Sequence, residues 1–365
     1  MRILTVIGAR PQFVKAAPVS AALRTAHEEY LVHTGQHYDY NMSDIFFEEL
    51  GLPAPDLNLG AGSGTHATQT ASMIAPLERA VIAQNPDMIL VYGDTNSTVA
   101  AALVAHALDV PLAHVEAGLR SYNRTMPEEI NRIVTDRVSD LLFCPSQIAV
   151  ENLAKEGIRE GVVLTGDVMV DAVLRAVETA KQTSMIHVTL GVNAPYALLT
   201  IHRPANTDDP DALAAILSGC GGLDLPVIFP VHPRTRVAMD RAGIALPENV
   251  RLINPLGYID MLCLLEAAEV ALTDSGGLQK EAYILKTPAV TIRTETEWVE
   301  TVASGWNRLV APDAQAIVSA VAEAAHNQPE THPDYYGDGN AAERIVAALE
   351  AFVEEHHAER SGTPN

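Results

Sequence analysis

Short apolar runs alternate with helical segments along most of this chain, and that alternation limits the possible folds more than any other feature. In the first half, the apolar runs predict six strands, at residues 3–7, 30–34, 88–92, 111–115, 141–143 and 162–164. A strand followed by a helix and then by another strand favours a parallel sheet with helices on both faces. We therefore expect an α/β fold with a doubly wound sheet.

The alternation is interrupted near residues 167–191, where one helix is followed by the polar patch 181–184. It resumes with five further apolar runs, at residues 197–201, 227–231, 250–253, 270–273 and 289–292. A chain of 365 residues is long enough for two domains with separate cores. We predict two Rossmann-like domains, 1–168 and 169–365, and a long closing helix at 341–356 that is a candidate to pack back on the first domain.

Composition excludes several classes of partner. The net charge of −22 argues against docking on nucleic acid or on anionic membranes, although it permits a local basic pocket for a small anion. The three cysteines, Cys144, Cys220 and Cys263, are scattered and predict neither a disulfide framework nor a zinc site. No apolar run approaches the ~18 to 20 residues that span a bilayer. The expectation is a soluble cytoplasmic protein without a metal.

The stretch 114–132, HVEAGLRSYNRTMPEEINR, concentrates charged residues at one strand end. An apolar strand runs directly into Glu116, and after a glycine break a proline opens a helix that carries Glu128 and Arg132. Ligands of open parallel sheets bind outside the carboxyl ends of the strands. The stretch therefore predicts a site that handles both a proton and an anion. The alternative is an exposed helix on which Glu128, Arg132 and Asp136 form a solvated ladder at i, i+4 and i+8.

Other predicted strand ends also carry polar residues, and these residues differ in kind between the two halves. They are Arg10, His37, Asp94, Glu116, His202, His232 and Ser275. The first half supplies acids and Lys15, and Arg10 and Lys15 at a helix start could seat an anion. The alternative there is a basic surface turn.

The second half supplies His202, Arg203 and the run 274–277, Asp-Ser-Gly-Gly. Glycines at a helix start let backbone N–H groups approach a diphosphate closely. Glu281, further along the same helix, could accept hydrogen bonds from ribose hydroxyls. The alternatives are a tight turn for the glycines and a solvated helix face for Glu281.

Together these segments resemble one known family. The sequences GARPQFVKAAP, TGQHYD, VYGDTNS, HVEAGLRS, PEEINR, the His202–Arg203 pair and DSGGLQKEA follow one another as in the non-hydrolysing UDP-N-acetylglucosamine 2-epimerases. The resemblance extends from residue 1 to about residue 311. It implies a GT-B-like pair of Rossmann-type domains facing across a cleft, a homodimer, a UDP-sugar substrate and no redox cofactor.

The resemblance also implies a chemistry and a set of residues. Such enzymes eliminate UDP to give 2-acetamidoglucal and then add UDP back, which inverts C2. Elimination needs cations on the departing diphosphate and acid/base groups on both faces of C2. The catalytic residues implied by position are Asp94, Glu116, Glu128 and His202. The substrate contacts implied by position are Arg10, Lys15, Arg132, Ser275, Gly276, Gly277, Glu281 and Arg293.

The sequence departs from the family pattern at several positions. Gln12 stands where many members have glutamate, and residues 202–206 read His-Arg-Pro-Ala-Asn in place of His-Arg-Arg-Glu-Asn. Asp39 and Thr68 stand where some members use glutamine and arginine to bind an activating second UDP-sugar. We therefore expect such activation to be weak or absent.

Four alternatives remain open at this stage. Residues 296–300 and 305–307 look more like relatives that accept other UDP-2-acetamido sugars, including uronic acids such as UDP-2,3-diacetamido-glucuronic acid. A GT-B glycosyltransferase would share the sheet and the diphosphate seat. A hydrolysing epimerase would use water in place of re-added UDP. A non-catalytic UDP-sugar sensor would have little use for paired acids.

Overall fold

The computed structural model describes residues 1–36, 47, 49–192 and 195–361. The predicted strand-end residue His37 and the departure at Asp39 lie outside the described residues. The chain divides into two compact units, Met1–Ala172 with Tyr336–Asn365, and Val173–Tyr335. The division falls close to the boundary predicted after residue 168, and the closing helix belongs to the first unit.

The first unit is built on a seven-stranded parallel sheet in the order β3-β2-β1-β4-β5-β6-β7. The strands are β1 Arg2–Ile7, β2 Glu28–His33, β3 Leu57–Asn58, β4 Met88–Tyr92, β5 Leu112–Val115, β6 Leu141–Cys144 and β7 Val162–Leu164. Six of them follow the predicted apolar runs. The edge strand β3 has two residues, which is too short to produce an alternating pattern.

Helices cover both faces of this sheet. They are α1 Arg10–Leu23, α2 His66–Gln84, α3 Asn96–Ala107, α4 Pro127–Val138, α5 Gln147–Lys155 and α6 Val168–Thr183. The closing helix, Ala341–Ser361, buries Ile345 and Leu349 in the same core as Phe13 and Val19 of α1. Within the described residues, no helix combines the length and the apolar character needed to cross a bilayer.

The second unit repeats the architecture with six parallel strands in the order β10-β9-β8-β11-β12-β13. The strands are β8 Ala197–Thr200, β9 Val227–Pro230, β10 Val250–Ile253, β11 Val270–Thr273, β12 Ala289–Ile292 and β13 Asn307–Val310. The helices are α7 Ile186–Leu190, α8 Pro204–Thr207, α9 Pro210–Gly221, α10 Pro233–Ala242, α11 Tyr258–Glu266, α12 Gly276–Ile284, α13 Val299–Ala303 and α14 Ala314–His326. Only the edge strand β13 was not predicted.

In each sheet the strand order reverses beside the first strand of the unit. The reversal lies between β1 and β4 in the first unit, and between β8 and β11 in the second. At such a switch point the connections leave in opposite directions and open a crevice at the carboxyl ends of the strands. Ligands of open α/β sheets bind in such a crevice.

Candidate active site

Four charged side chains meet at the switch point of the first unit. Lys15 on α1 forms an ion pair with Glu116, which follows β5, and both side chains are largely buried. Arg132 on α4 lies with its Nη2 2.5 Å from Oδ2 of Asp94, which follows β4. The predicted Lys15, Asp94, Glu116 and Arg132 are thus brought together from four separate segments.

The backbone at Glu116 has a conformation that is rare for residues with a side chain. Its φ is 71°, and Gly118 two residues later has a φ of 79°. A Cβ at Gly118 would lie 2.4 Å from the carbonyl oxygen of Ala149, so glycine is required there. Left-handed backbone at a non-glycine residue persists only where the surroundings enforce it, and such positions cluster at functional sites.

Burial and neighbouring charges act in opposite directions on this cluster. Burial raises the pKa of Asp94, the charge of Glu116 raises it further, and the Arg132 guanidinium offsets only part of that rise. Burial would lower the pKa of Lys15, but the adjacent Glu116 outweighs burial and raises it. Lys15 therefore remains a cation, and Asp94 accepts a proton more readily than an ordinary aspartate.

The solvated ladder proposed as an alternative for α4 does not form. Arg132 pairs with Asp94 and, at 3.1 Å, with the buried Glu129. Glu129 in turn accepts hydrogen bonds from the backbone N–H groups of Ser121 and Tyr122, each at 2.8 Å.

The other two residues of that ladder lie in different surroundings. Asp136 is buried and pairs with Arg120 at 2.7 Å. Glu128 is half-buried at the start of α4 and, among the described residues, has no ion pair or hydrogen-bond partner for its carboxylate. The predicted Glu128 thus lies next to Glu129 of the cluster but is not joined to it.

The side chain of Gln12 holds the backbone at the start of α1. The side-chain oxygen of Gln12 accepts hydrogen bonds from the N–H groups of Gly8 at 2.8 Å and Ala9 at 3.0 Å. Its amide nitrogen donates to the carbonyl of Tyr92 at 2.8 Å, which a carboxylate at this position could not do. Arg10 is half-buried, and burial lowers its pKa although Glu49 acts in the opposite sense.

Asp274 organises the switch point of the second unit. Its buried carboxylate accepts hydrogen bonds from the backbone N–H groups of His202 at 3.1 Å and Arg203 at 2.9 Å, and from the amide of Asn206 at 3.1 Å. Nδ1 of His202 lies 3.2 Å from Oδ1 of the same carboxylate. Burial would raise the pKa of Asp274, but these hydrogen bonds, above all that from His202, hold it below its ordinary value. The ionised carboxylate leaves Nε2 of His202 as the nitrogen that can face a substrate.

The predicted diphosphate seat is the start of α12. The Ser275 hydroxyl accepts a hydrogen bond from the N–H of Leu278 at 3.4 Å and so caps the helix. Within the described part of the chain, no acceptor occupies the N–H groups of Gly276 and Gly277. Free N–H groups at a helix start bind anions.

Glu281 lies one turn further along α12. Burial raises its pKa to about 7, although a hydrogen bond from the Tyr258 hydroxyl acts in the opposite sense. Arg293 forms a two-pronged ion pair with Glu297, both distances being 3.0 Å. The indole N–H of Trp298 donates to the carbonyl of Gly276 at 2.9 Å, so the segment after β12 borders the seat.

Nothing in the described residues indicates a metal centre: no group of three or more His, Cys, Asp or Glu side chains is arranged to hold an ion. The three cysteines are free thiols.

Comparison with known proteins identifies the family. A family model described as UDP-N-acetylglucosamine 2-epimerase matches residues 21–350. This chain belongs to the UDP-N-acetylglucosamine 2-epimerase family. Two relatives are equally similar to it, each with 46% identity over 96% of this chain and 99% of their own length. One is a UDP-N-acetylglucosamine 2-epimerase homolog of Methanococcus maripaludis, and the other a UDP-2,3-diacetamido-2,3-dideoxy-D-glucuronate 2-epimerase of Pseudomonas aeruginosa.

Solved structures agree with this family membership. The Methanocaldococcus jannaschii UDP-GlcNAc 2-epimerase, crystallised with UDP-GlcNAc and UDP, has a TM-score of 0.84 and 40% identity, covering 96% of this chain and all of that one. The calicheamicin glycosyltransferase CalG4, at 15% identity and a TM-score of 0.60, shares the fold alone. The predicted GT-B-like fold class is confirmed.

Six residues around these sites were not among the predicted catalytic or substrate-binding residues. They are Gln12, His114, Glu129, Asp136, Tyr258 and Trp298. One signal was available: His114 lies between apolar residues of a buried strand, where a polar side chain needs a partner. The partners themselves come from distant segments and leave no local pattern.

Proposed function

We propose that this protein interconverts UDP-N-acetylglucosamine and UDP-N-acetylmannosamine by non-hydrolysing 2-epimerisation. The observation that carries the proposal is the meeting of Lys15, Asp94, Glu116 and Arg132 at the carboxyl ends of β1, β4 and β5. Two carboxylates held beside two cations can move a proton while negative charge develops on a leaving group.

The reaction then proceeds in two halves. A carboxylate takes the proton from C2 as the bond from C1 to the UDP oxygen breaks, and the electron pair forms the C1–C2 double bond of 2-acetamidoglucal. A proton is then delivered to the opposite face of C2, and UDP adds back to C1. No net oxidation occurs, so the cycle requires no redox cofactor.

The residue roles are also part of the proposal. Asp94 and Glu116 act as the acid/base pair, and the raised pKa of Asp94 makes it the better residue to hold a proton between the two halves. Glu128 and His202 assist with proton transfer. Arg10, Lys15 and Arg132 stabilise the departing diphosphate.

In the second unit, Ser275, Gly276 and Gly277 bind the phosphates, and Glu281 binds the ribose. Arg293 supports that seat.

A second substrate is favoured by one finding. The Pseudomonas aeruginosa relative named for the diacetamido-glucuronate substrate is as similar to this chain as the Methanococcus maripaludis one. The same proton transfer at C2 would operate on that sugar, because the extra groups lie at C3 and C5.

The deciding experiment is incubation in D2O with UDP-N-acetylglucosamine and, separately, with UDP-2,3-diacetamido-glucuronic acid. NMR should show deuterium at C2 of both epimers with UDP still attached, and the faster reaction ranks the substrates. Free N-acetylmannosamine with UDP would indicate a hydrolysing enzyme, and no exchange with either sugar would contradict the proposal.

A homodimer and a cytoplasmic location complete the proposal, on the strength of the family resemblance. Light scattering of the purified protein should give twice the monomer mass, and a monomer at assay concentration would contradict this part.

A further inference from the structure

His114 occupies the middle of β5 with its side chain fully buried. Its Nδ1 lies 2.7 Å from Oδ1 of Asp136, and its Nε2 lies 2.7 Å from the carbonyl oxygen of Gly93. Both ring nitrogens are therefore in short hydrogen bonds inside the unit.

The partners determine how many protons the ring carries. A carbonyl oxygen can only accept, so Nε2 carries hydrogen and donates. Oδ2 of Asp136 accepts hydrogen bonds from the Arg120 side chain at 2.7 Å and from the backbone N–H of Gly118 at 3.2 Å, and these donors hold Asp136 as an ionised carboxylate. An ionised carboxylate also only accepts, so Nδ1 must donate as well. We propose that His114 is a doubly protonated imidazolium that positions the two catalytic carboxylates.

The surrounding charges make a buried imidazolium tenable. Asp136 accepts a second strong hydrogen bond from Arg120 at 2.7 Å, and Arg120 also binds Glu156 at 2.7 and 2.8 Å. Two cations thus face two carboxylates. Cys144, near Asp136 on the neighbouring strand, stays neutral because burial raises its pKa to about 12. A buried charge is retained where it is paired and hydrogen-bonded.

The imidazolium joins the two turns that carry the acids. The Gly93 carbonyl that it holds immediately precedes Asp94. Through Asp136 it also holds the N–H of Gly118, which lies 3.2 Å from Oδ2 and two residues after Glu116. This inference rests on the proposed function, because it takes Asp94 and Glu116 as the reacting groups.

The charge state is tested by nitrogen NMR of protein labelled at histidine. Both nitrogens of His114 should carry hydrogen, with the signals assigned by their loss in His114→Gln. In Asp136→Asn the amide can donate to Nδ1 while Nε2 still donates to Gly93, so the ring should become neutral. A neutral ring in the unmodified protein would overturn the proposal.

The positioning role is tested by kinetics. His114→Gln should lower kcat by ~10- to 100-fold, the effect of a small displacement of reacting groups, and leave KM within ~3-fold because the UDP seat is unchanged. His106→Gln, an exposed change on α3, is the matched control and should retain full activity. Assays are run at a temperature where circular dichroism shows each variant folded. An unchanged kcat, or a rise in KM alone, would overturn the role.

Failure of the proposed function would look different. An unmodified protein that exchanges no C2 hydrogen would remove the reaction, yet the NMR result would still report the charge of His114. A crystal structure of His114→Gln would still report whether the Gly93–Asp94 turn moves. A shifted turn supports positioning, and an unmoved turn contradicts it.

Discussion

At the switch point of the first unit, two ion pairs join four charged side chains, whereas the second unit presents backbone N–H groups beside the buried carboxylate of Asp274. Lys15, Glu116, Asp94 and Arg132 are joined by ion pairs. In the second unit Asp274 fixes the backbone of His202 and Arg203, while the start of α12 keeps N–H groups available. Both sites occupy the same place in nearly the same strand order.

The difference shows how one topology can serve two tasks. Ion-paired side chains can take up or release a proton and can stabilise charge that develops during a reaction, as a reacting centre requires. A helix start and a backbone turn are fixed by the fold, which suits the part of a ligand that does not change. We therefore expect substitutions in the first unit to affect turnover, and substitutions in the seat of the second unit to affect UDP affinity.

The largest expected effect is on turnover, when an acid of the first site is replaced. Glu116→Gln or Asp94→Asn should lower turnover by ~10²-fold or more, because a proton-transfer group is lost. UDP affinity, measured by calorimetry, should remain nearly unchanged. The exposed Glu160→Gln serves as control. Near-normal turnover in both variants would remove these acids from the mechanism.

A smaller loss is expected where the second unit orients a side chain. Asp274→Asn leaves one oxygen for several donors, so His202 loses its fixed orientation and kcat should fall by roughly 10-fold. UDP affinity should fall less, since the α12 start does not depend on His202. If UDP affinity collapsed with unchanged kcat, Asp274 would belong to the seat alone.

The pH dependence of UDP binding sharpens the comparison further. Burial raises the pKa of Glu281 to about 7, so its carboxylate is mostly ionised only above that pH and accepts hydrogen bonds from ribose hydroxyls best there. UDP affinity should fall as pH drops through 7, by up to ~10-fold for one charge-assisted hydrogen bond.

Two variants serve as controls for this prediction. In Glu281→Gln the fall in UDP affinity near pH 7 should disappear. Any pH dependence of affinity that remains is then due to the diphosphate of UDP. In Tyr258→Phe the midpoint should move to higher pH, because the hydrogen bond that lowers the pKa is lost. A step that survives in Glu281→Gln would refute the assignment.

The smallest effect is expected for an exposed ion pair of the second unit. Arg234 binds Asp208 at 2.6 Å, but both side chains are well exposed to solvent. Asp208→Asn should change the free energy of unfolding by less than ~1 kcal/mol, because water and salt screen such pairs. A larger loss of unfolding free energy, measured by thermal unfolding, would show that this ion pair stabilises the fold more than an exposed pair should.

Local sequence determined the architecture of each unit. Every predicted apolar run became a strand, because alternation of strands and helices is a short-range pattern that burial enforces. The motifs also predicted the residues that meet in the first site, and the resemblance predicted the family. The strands β3 and β13 were missed because their positions depend on pairing at a sheet edge.

Only the tertiary structure decided which charges pair. Arg132 lies between Glu128 and Asp136 on one helix face, yet it pairs with Glu129 and with Asp94, which lies in the turn after β4. His114 and Asp136 form a buried pair that no spacing predicts. Charged side chains are long and rotatable, and their partners are chosen by burial and by groups that folding brings from far along the chain.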